Sequence, residues 1–191
     1  MRIFLMATCI AVFLVSKPNQ LFAQRKINQL GIIAEAGFPK NGNMGLGGFI
    51  KGAYGISKSG QVTFQTGVSI YKIEPRLVFE NTIFIGSQKT QVRLIPVLVG
   101  YKHYFNHFYI EPQAGYGELG GKIDEGGDWI RSSVGAFYWV AGAGYQFNKV
   151  DVGVRYQSAH VTSKYKAGIW GNEPVSLIGI HLGYFFTLNK K

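Results

Sequence analysis

The stretch Gln61–Tyr71, QVTFQTGVSIY, decides the fold. Val62, Phe64, Thr66, Val68 and Ile70 fall on one side of an extended chain, and Gln61, Thr63, Gln65, Gly67 and Ser69 on the other. A period of two marks a strand whose two faces meet different surroundings. Phe108–Gly117 repeats the pattern, with Phe108, Ile110, Pro112, Ala114 and Tyr116 against Tyr109, Glu111, Gln113, Gly115 and Gly117. So does Val150–Ser158, where Val150, Val152, Val154 and Tyr156 oppose Asp151, Gly153, Arg155 and Gln157. The last run, Ile178–Leu188, opposes Ile178, Ile180, Leu182, Tyr184, Phe186 and Leu188 to Gly179, His181, Gly183 and Phe185. Weaker alternation covers Gly31–Phe38, Met44–Ser57, Gln91–Phe105 and Val134–Phe147, which makes eight strands. In Gln91–Phe105 both faces are apolar, and its facing stays open.

The connections set the topology. Lys58-Ser59-Gly60, Asn106-His107 and Asn148-Lys149 are hairpin turns. Pro39–Asn43, Glu74–Thr90, Glu118–Ser133 and His160–Pro174 are longer, so short and long connections alternate. That is the pattern of a transmembrane barrel with tight periplasmic turns and larger outside loops, both termini lying in the periplasm. A soluble barrel would turn its apolar face inward. Here the non-apolar face is Gly, Ser, Thr and Gln, which suits a narrow lumen. Aromatic residues crowd the short-turn ends: Tyr104, Phe105, Phe108, Tyr109, Tyr145, Phe147 and Tyr184 to Phe186. Such clustering marks a membrane interface. The reading is therefore an all-β, eight-stranded antiparallel up-and-down transmembrane barrel. The competing reading is a soluble exported barrel.

The 191 residues suit one domain, and 26 glycines without a triplet period exclude collagen. Met1-Arg2, the apolar run Ile3–Val15 and a more polar stretch ending at Ala23 read as a secretory signal peptide, residues 1–23, leaving a barrel domain over 24–191. The single cysteine, Cys9, lies within that signal, so the exported chain has no thiol for disulfide, catalysis or metal. Losing Arg2 and Lys17 from 20 basic residues leaves 18 against 10 acidic ones. The topology assigns Arg25, Lys26, Lys58, Lys102, Lys149, Lys190 and Lys191 to the periplasmic ends, against Asp151 alone. No nucleic-acid module accompanies the basicity.

The final strand supports the membrane. His181, Gly183, Phe186 and Leu188 resemble the C-terminal assembly signal of outer-membrane barrels, which implies the barrel-assembly machinery as a partner. With RLIPVLVGYKHYF (Arg93–Phe105), FYIEPQAGYG (Phe108–Gly117), VAGAGYQF (Val140–Phe147) and VDVGVRYQ (Val150–Gln157), the chain resembles the eight-stranded outer-membrane β-barrel family of Gram-negative bacteria, of OmpA and OmpX architecture. The resemblance covers Gly31 to Leu188. It implies an outer-membrane location among lipopolysaccharide and other outer-membrane lipids, and it carries no single activity.

Three candidate sites follow. Eight strands enclose an interior that side chains fill, and Glu35, Lys51, Arg93, Glu111, Asp151, Arg155 and His181, with Gln65, Gln113 and Tyr138, are expected to plug it with ion pairs and hydrogen bonds. A narrow small-solute channel is the alternative; a general porin needs about sixteen strands. Ser158 and His160, with Glu173 downstream, distantly resemble the site of lipid A deacylases, which would make the chain a surface lipid hydrolase. Their order is reversed here and the asparagine of that pattern is absent. The third site is the loops, where Trp129, Tyr165 and Trp170 offer contacts to a cell-wall or envelope-protein partner. Asp124, Glu125 and Asp128 lack EF-hand spacing, and neither a metal nor a cofactor is implied. The expectation is a non-enzymatic envelope protein, structural or binding through its loops.

Overall fold

The computed structural model describes residues 28–40, 42–73, 90–125, 128–161 and 174–188. The expected signal segment lies outside them. Eight strands follow in chain order: β1 (Gln29–Pro39), β2 (Gly42–Gly55), β3 (Gly60–Ile73), β4 (Thr90–Phe105), β5 (Phe108–Glu125), β6 (Asp128–Phe147), β7 (Val150–Val161) and β8 (Val175–Thr187). Each pairs antiparallel with the next and β8 returns to β1, so the sheet closes into an up-and-down barrel. Closure pairs every edge, as lipid demands, because an unpaired backbone group there costs several kcal/mol.

The tight turns form where the sequence places them. Phe105 pairs with Phe108 and Phe147 with Val150, leaving Asn106-His107 and Asn148-Lys149 as two-residue loops. Asn106 and Asn148 carry φ of 62° and 55°, the left-handed region that asparagine tolerates better than other side chains. Two expected loops differ. Pro39 belongs to β1 through Leu177 of β8 and Gly42 to β2 through Ile73 of β3, so strand runs into both ends of the expected loop Pro39–Asn43, while β1 and β2 pair with each other only as far as Gly37–Gly45. Glu118–Ser133 is no loop: β5 and β6 stay paired from Glu118–Gly135 to Glu125–Asp128, a hairpin extending the wall. Backbone ladder bonds need no side-chain contrast, so a glycine-rich segment reads as a loop and still zips.

The faces sort as a membrane barrel requires. Ile32, Leu46, Ile50, Phe64, Ile178, Ile180 and Leu182 are all exposed on the outside. Their inward neighbours Gly31, Ile33, Lys51, Gln65, Gly179 and His181 are not. The open facing of β4 is settled: Val92, Leu94, Leu98, Lys102 and Tyr104 point in, while Arg93, Val97, Val99, Tyr101 and Phe105 point out. Tyr104, Tyr109 and Phe185, expected among the interfacial aromatics, are inside. The outer girdle is Tyr101, Phe105, Phe108, Tyr145, Phe147, Tyr184 and Phe186. On the outer face, ten residues separate Val62 from Lys72, Phe108 from Glu118, and Ser176 from Phe186. Ten tilted residues rise about 25 Å, the height of an apolar belt.

Candidate functional site

The barrel interior has two layers. Toward the tight turns it is polar, and three ion pairs tie strands together across it. Lys51 of β2 meets Glu111 of β5 at 2.5 Å, Lys102 of β4 meets Asp151 of β7, and Arg155 of β7 meets Glu35 of β1. All six residues are buried. Three cations balance three carboxylates, as burial requires, since an unpaired charge there is costly. Hydrogen bonds occupy further lone pairs. Thr63 Oγ1 donates to Glu111 at 2.7 Å and Gln113 Nε2 at 2.8 Å. The Tyr109 hydroxyl donates to Asp151 at 2.6 Å, and His181 Nε2 lies 3.0 Å from the same carboxylate oxygen. The Lys102 ammonium sits 3.7 Å from the Tyr109 ring centre, a cation–π contact. Tyr104, 2.5 Å from Gln146 Oε1, closes the periplasmic mouth.

Above this layer the lumen turns apolar. Leu94, Leu98, Leu119, Val140 and Leu177 pack with Tyr71 and Tyr138 in one cluster. Tyr71 bridges the layers, its hydroxyl donating to Glu35 at 3.4 Å. Tyr138, expected in the lumen, donates to the Glu118 carbonyl at 2.8 Å. A cavity among Lys51, Gln65, Tyr109, Glu111, Arg155 and His181 measures about 10 Å³, room for about one water. Among the described residues the arrangement holds three buried cations against three buried carboxylates.

Of the expected lumen residues, Glu35, Lys51, Glu111, Asp151, Arg155, His181, Gln65 and Gln113 stand inside. Arg93 does not. It lies on the outer face of β4 and pairs with Glu118 of β5 at 2.8 Å, both groups about half exposed. Lys102, assigned to the periplasmic surface, belongs inside instead. The hairpin register carried the missing signal. Phe105 opposite Phe108 sets Tyr104 opposite Tyr109, and directly opposed residues share a face. Tyr109 shares its face with Glu111, so Tyr104 and Lys102 must point inward and Arg93 outward.

Ser158 and His160 share the outer face at the upper edge of the belt. Ser158 Oγ lies 3.2 Å from His160 Nε2 and 3.2 Å from Ser176 Oγ, and Trp139 Nε1 donates to His160 Nε2 at 3.3 Å. Glu173 lies outside the described residues, and among the described residues no carboxylate forms an ion pair with His160. Tyr165 and Trp170 also lie outside them; Trp129 falls within β6, opposite Asp124. In the last strand His181 and Gly183 face in, while Phe186 and Leu188 face out.

No family model matches the chain, and no curated protein sequence matches it. Solved structures do. Ail, the attachment invasion locus protein of Yersinia pestis, solved in complex with the heparin analogue sucrose octasulfate, superposes with a TM-score of 0.54 at 13% identity, over 84% of this chain and 97% of that one. The N-terminal β-barrel domain of Pseudomonas aeruginosa OprF gives 0.55 at 12%, over 83% and 97%. A major outer membrane protein from Thermus thermophilus gives 0.54 at 16%, over 83% and 99%. The chain has the fold of these outer-membrane β-barrels.

Proposed function

We propose that this chain is an integral outer-membrane protein with a permanently filled lumen, acting as a scaffold or binder through its outer hairpins rather than as a pore. The observation carrying this reading is the interior: three cross-lumen ion pairs beneath an apolar cluster, with space for about one water. An eight-stranded wall leaves no room for more once side chains fill it. The expected result is no steady conductance from the purified barrel in planar bilayers. Long-lived open channels would contradict it and favour the narrow-channel alternative. His181, Gly183, Phe186 and Leu188 fit as the signal read during assembly, and the likeness to barrels such as Ail supports a setting among outer-leaflet lipids.

A second reading, surface lipid hydrolase, rests on the 3.2 Å contact between Ser158 and His160. A nucleophile needs its base oriented by a third group. Trp139 and Ser176, the other groups bonded there, carry no charge to stabilise an imidazolium. The expected result is an unchanged acyl pattern of lipid A, by mass spectrometry, in cells with and without the protein. Loss of one acyl chain, abolished by Ser158→Ala, would establish the hydrolase.

A further inference from the structure

The small cavity in the polar layer gathers the hydrogen-bonding groups that the ion pairs leave over. Gln65 of β3, Gln113 of β5, Arg155 of β7 and His181 of β8 line it, and none is more than 7% exposed. Among the described residues each keeps a buried side-chain atom without a hydrogen bond: Gln65 Nε2, Gln113 Oε1, Arg155 Nη2 and His181 Nδ1. The two amides cannot be turned round to hide this. The Glu111 carboxylate only accepts, so the Gln113 atom 2.8 Å from it is the nitrogen, and Oε1 is left over. The same nitrogen donates to Gln65 Oε1 at 3.4 Å, which leaves Gln65 Nε2. The cavity therefore presents two donors, on Gln65 and Arg155, and one acceptor, on Gln113. The imidazole nitrogen can take either part.

We propose that this cavity binds one long-lived water molecule, the hydrogen-bond node on which the three ion pairs converge. The donor and acceptor set selects the ligand. A halide accepts but cannot donate to Gln113 Oε1, and a cation cannot accept from Gln65 and Arg155. Water does both, buried waters typically make about three hydrogen bonds, and about 10 Å³ is room for one. Each group it meets belongs to a different pair. Gln113 donates to Glu111, Arg155 pairs with Glu35, and His181 Nε2 lies 3.0 Å from Asp151. The water thus ties β3 and β5 to β7 and β8 across the lumen. Gly142 keeps the site open. It lines the cavity between Glu111 and Arg155, and a Cβ there would meet nothing closer than the Glu111 carbonyl oxygen at 3.5 Å. The wall tolerates an alanine, whose methyl would take the volume of the water. The inference rests on the filled lumen proposed above.

The test uses the full barrel in detergent micelles, methyl-labelled at isoleucine and valine, with NOESY and ROESY spectra recorded at the water resonance. Ile33 and Val140 line the cavity, and their methyls exchange no protons with solvent. A resident water is expected to give both residues cross-peaks of opposite sign in the two spectra, and none to Val154, which faces outward on β7. Gly142→Ala should abolish the Ile33 and Val140 signals. Gly48→Ala, on the outer wall where a Cβ meets nothing within 4 Å, should keep them. The spectrum of the folded parent decides the matter even where the alanine at 142 disturbs folding: signals absent there would overturn the site and leave the filled lumen standing. Signals unchanged in Gly142→Ala would overturn it as well, since the water would then lie elsewhere. A Gln65 side-chain amide shift that follows bromide concentration would assign the cavity to an anion instead. Cross-peaks of the same sign in both spectra would mean freely exchanging water, which overturns the filled lumen beneath the inference.

Discussion

Asp151→Ala should lower the unfolding free energy of the vesicle-embedded barrel by about 3–5 kcal/mol, the size seen when one partner of a buried ion pair is removed. Asp151 receives the Lys102 ammonium, the Tyr109 hydroxyl at 2.6 Å and His181 Nε2 at 3.0 Å. Lys102 is 1% exposed, so its charge has no water to turn to. Gln146 Oε1, 3.0 Å away, and the rings of Tyr109, Tyr104 and Phe185 remain around it. A cation–π contact of about 2 kcal/mol does not replace a carboxylate. Removing both charges behaves differently. Lys102→Met with Asp151→Leu should recover most of the loss, because apolar groups of similar volume replace buried pairs well. The Tyr109 hydroxyl still reaches His181 Nε2 at 3.0 Å. Urea titration of the two single variants and the double variant gives the coupling free energy directly. A single-variant loss below about 1 kcal/mol would mean that water reaches Lys102, and the plug would not be dry.

The outer wall should respond with opposite logic. Ile180 lies mid-belt on β8, 51% exposed, between Ser176 at the upper edge and Phe186 at the lower. Ile180→Arg should cost about 2–4 kcal/mol in vesicles, the penalty for a cation at the bilayer midplane. Met44→Arg, at the upper end of β2, should cost about 0–1 kcal/mol, since depth sets the penalty. On a barrel bathed by water the two substitutions would be equally mild.

The sequence displays these two environments unevenly. β3, β7 and β8 alternate cleanly because one face meets lipid and the other polar lumen, so hydropathy contrast records the facing. β4 lacks that contrast for a physical reason. Its outer side chains Val97 and Val99 meet lipid, while Leu94 and Leu98 meet the apolar upper lumen. Two unlike surroundings demand the same residue type. Only the register through Asn106-His107 separates them, and it moves Lys102 in and Arg93 out. The apolar upper lumen was invisible for the same reason, since an inward leucine and a lipid-facing one look alike in a string. At the periplasmic end Lys102 and Asp151 leave the assigned set together, and Arg25, Lys26, Lys190 and Lys191 lie outside the described residues. The β5–β6 extension escaped detection because its glycines supply ladder bonds without a side-chain pattern.

The central claim is that even-numbered positions of β8 face lipid and odd-numbered ones the filled lumen. The sole cysteine is Cys9, which falls outside residues 24–191, so single cysteines placed in that segment carry a nitroxide unambiguously. Labels at positions 178, 180, 182 and 184, scanned in vesicles against 177, 179, 181 and 183, measure collision with oxygen, which concentrates in the bilayer. The account predicts high oxygen collision at the four even positions, greatest at 180 and 182, and low values at the odd ones. Uniform values along the strand, or a pattern with the odd positions high, would contradict it.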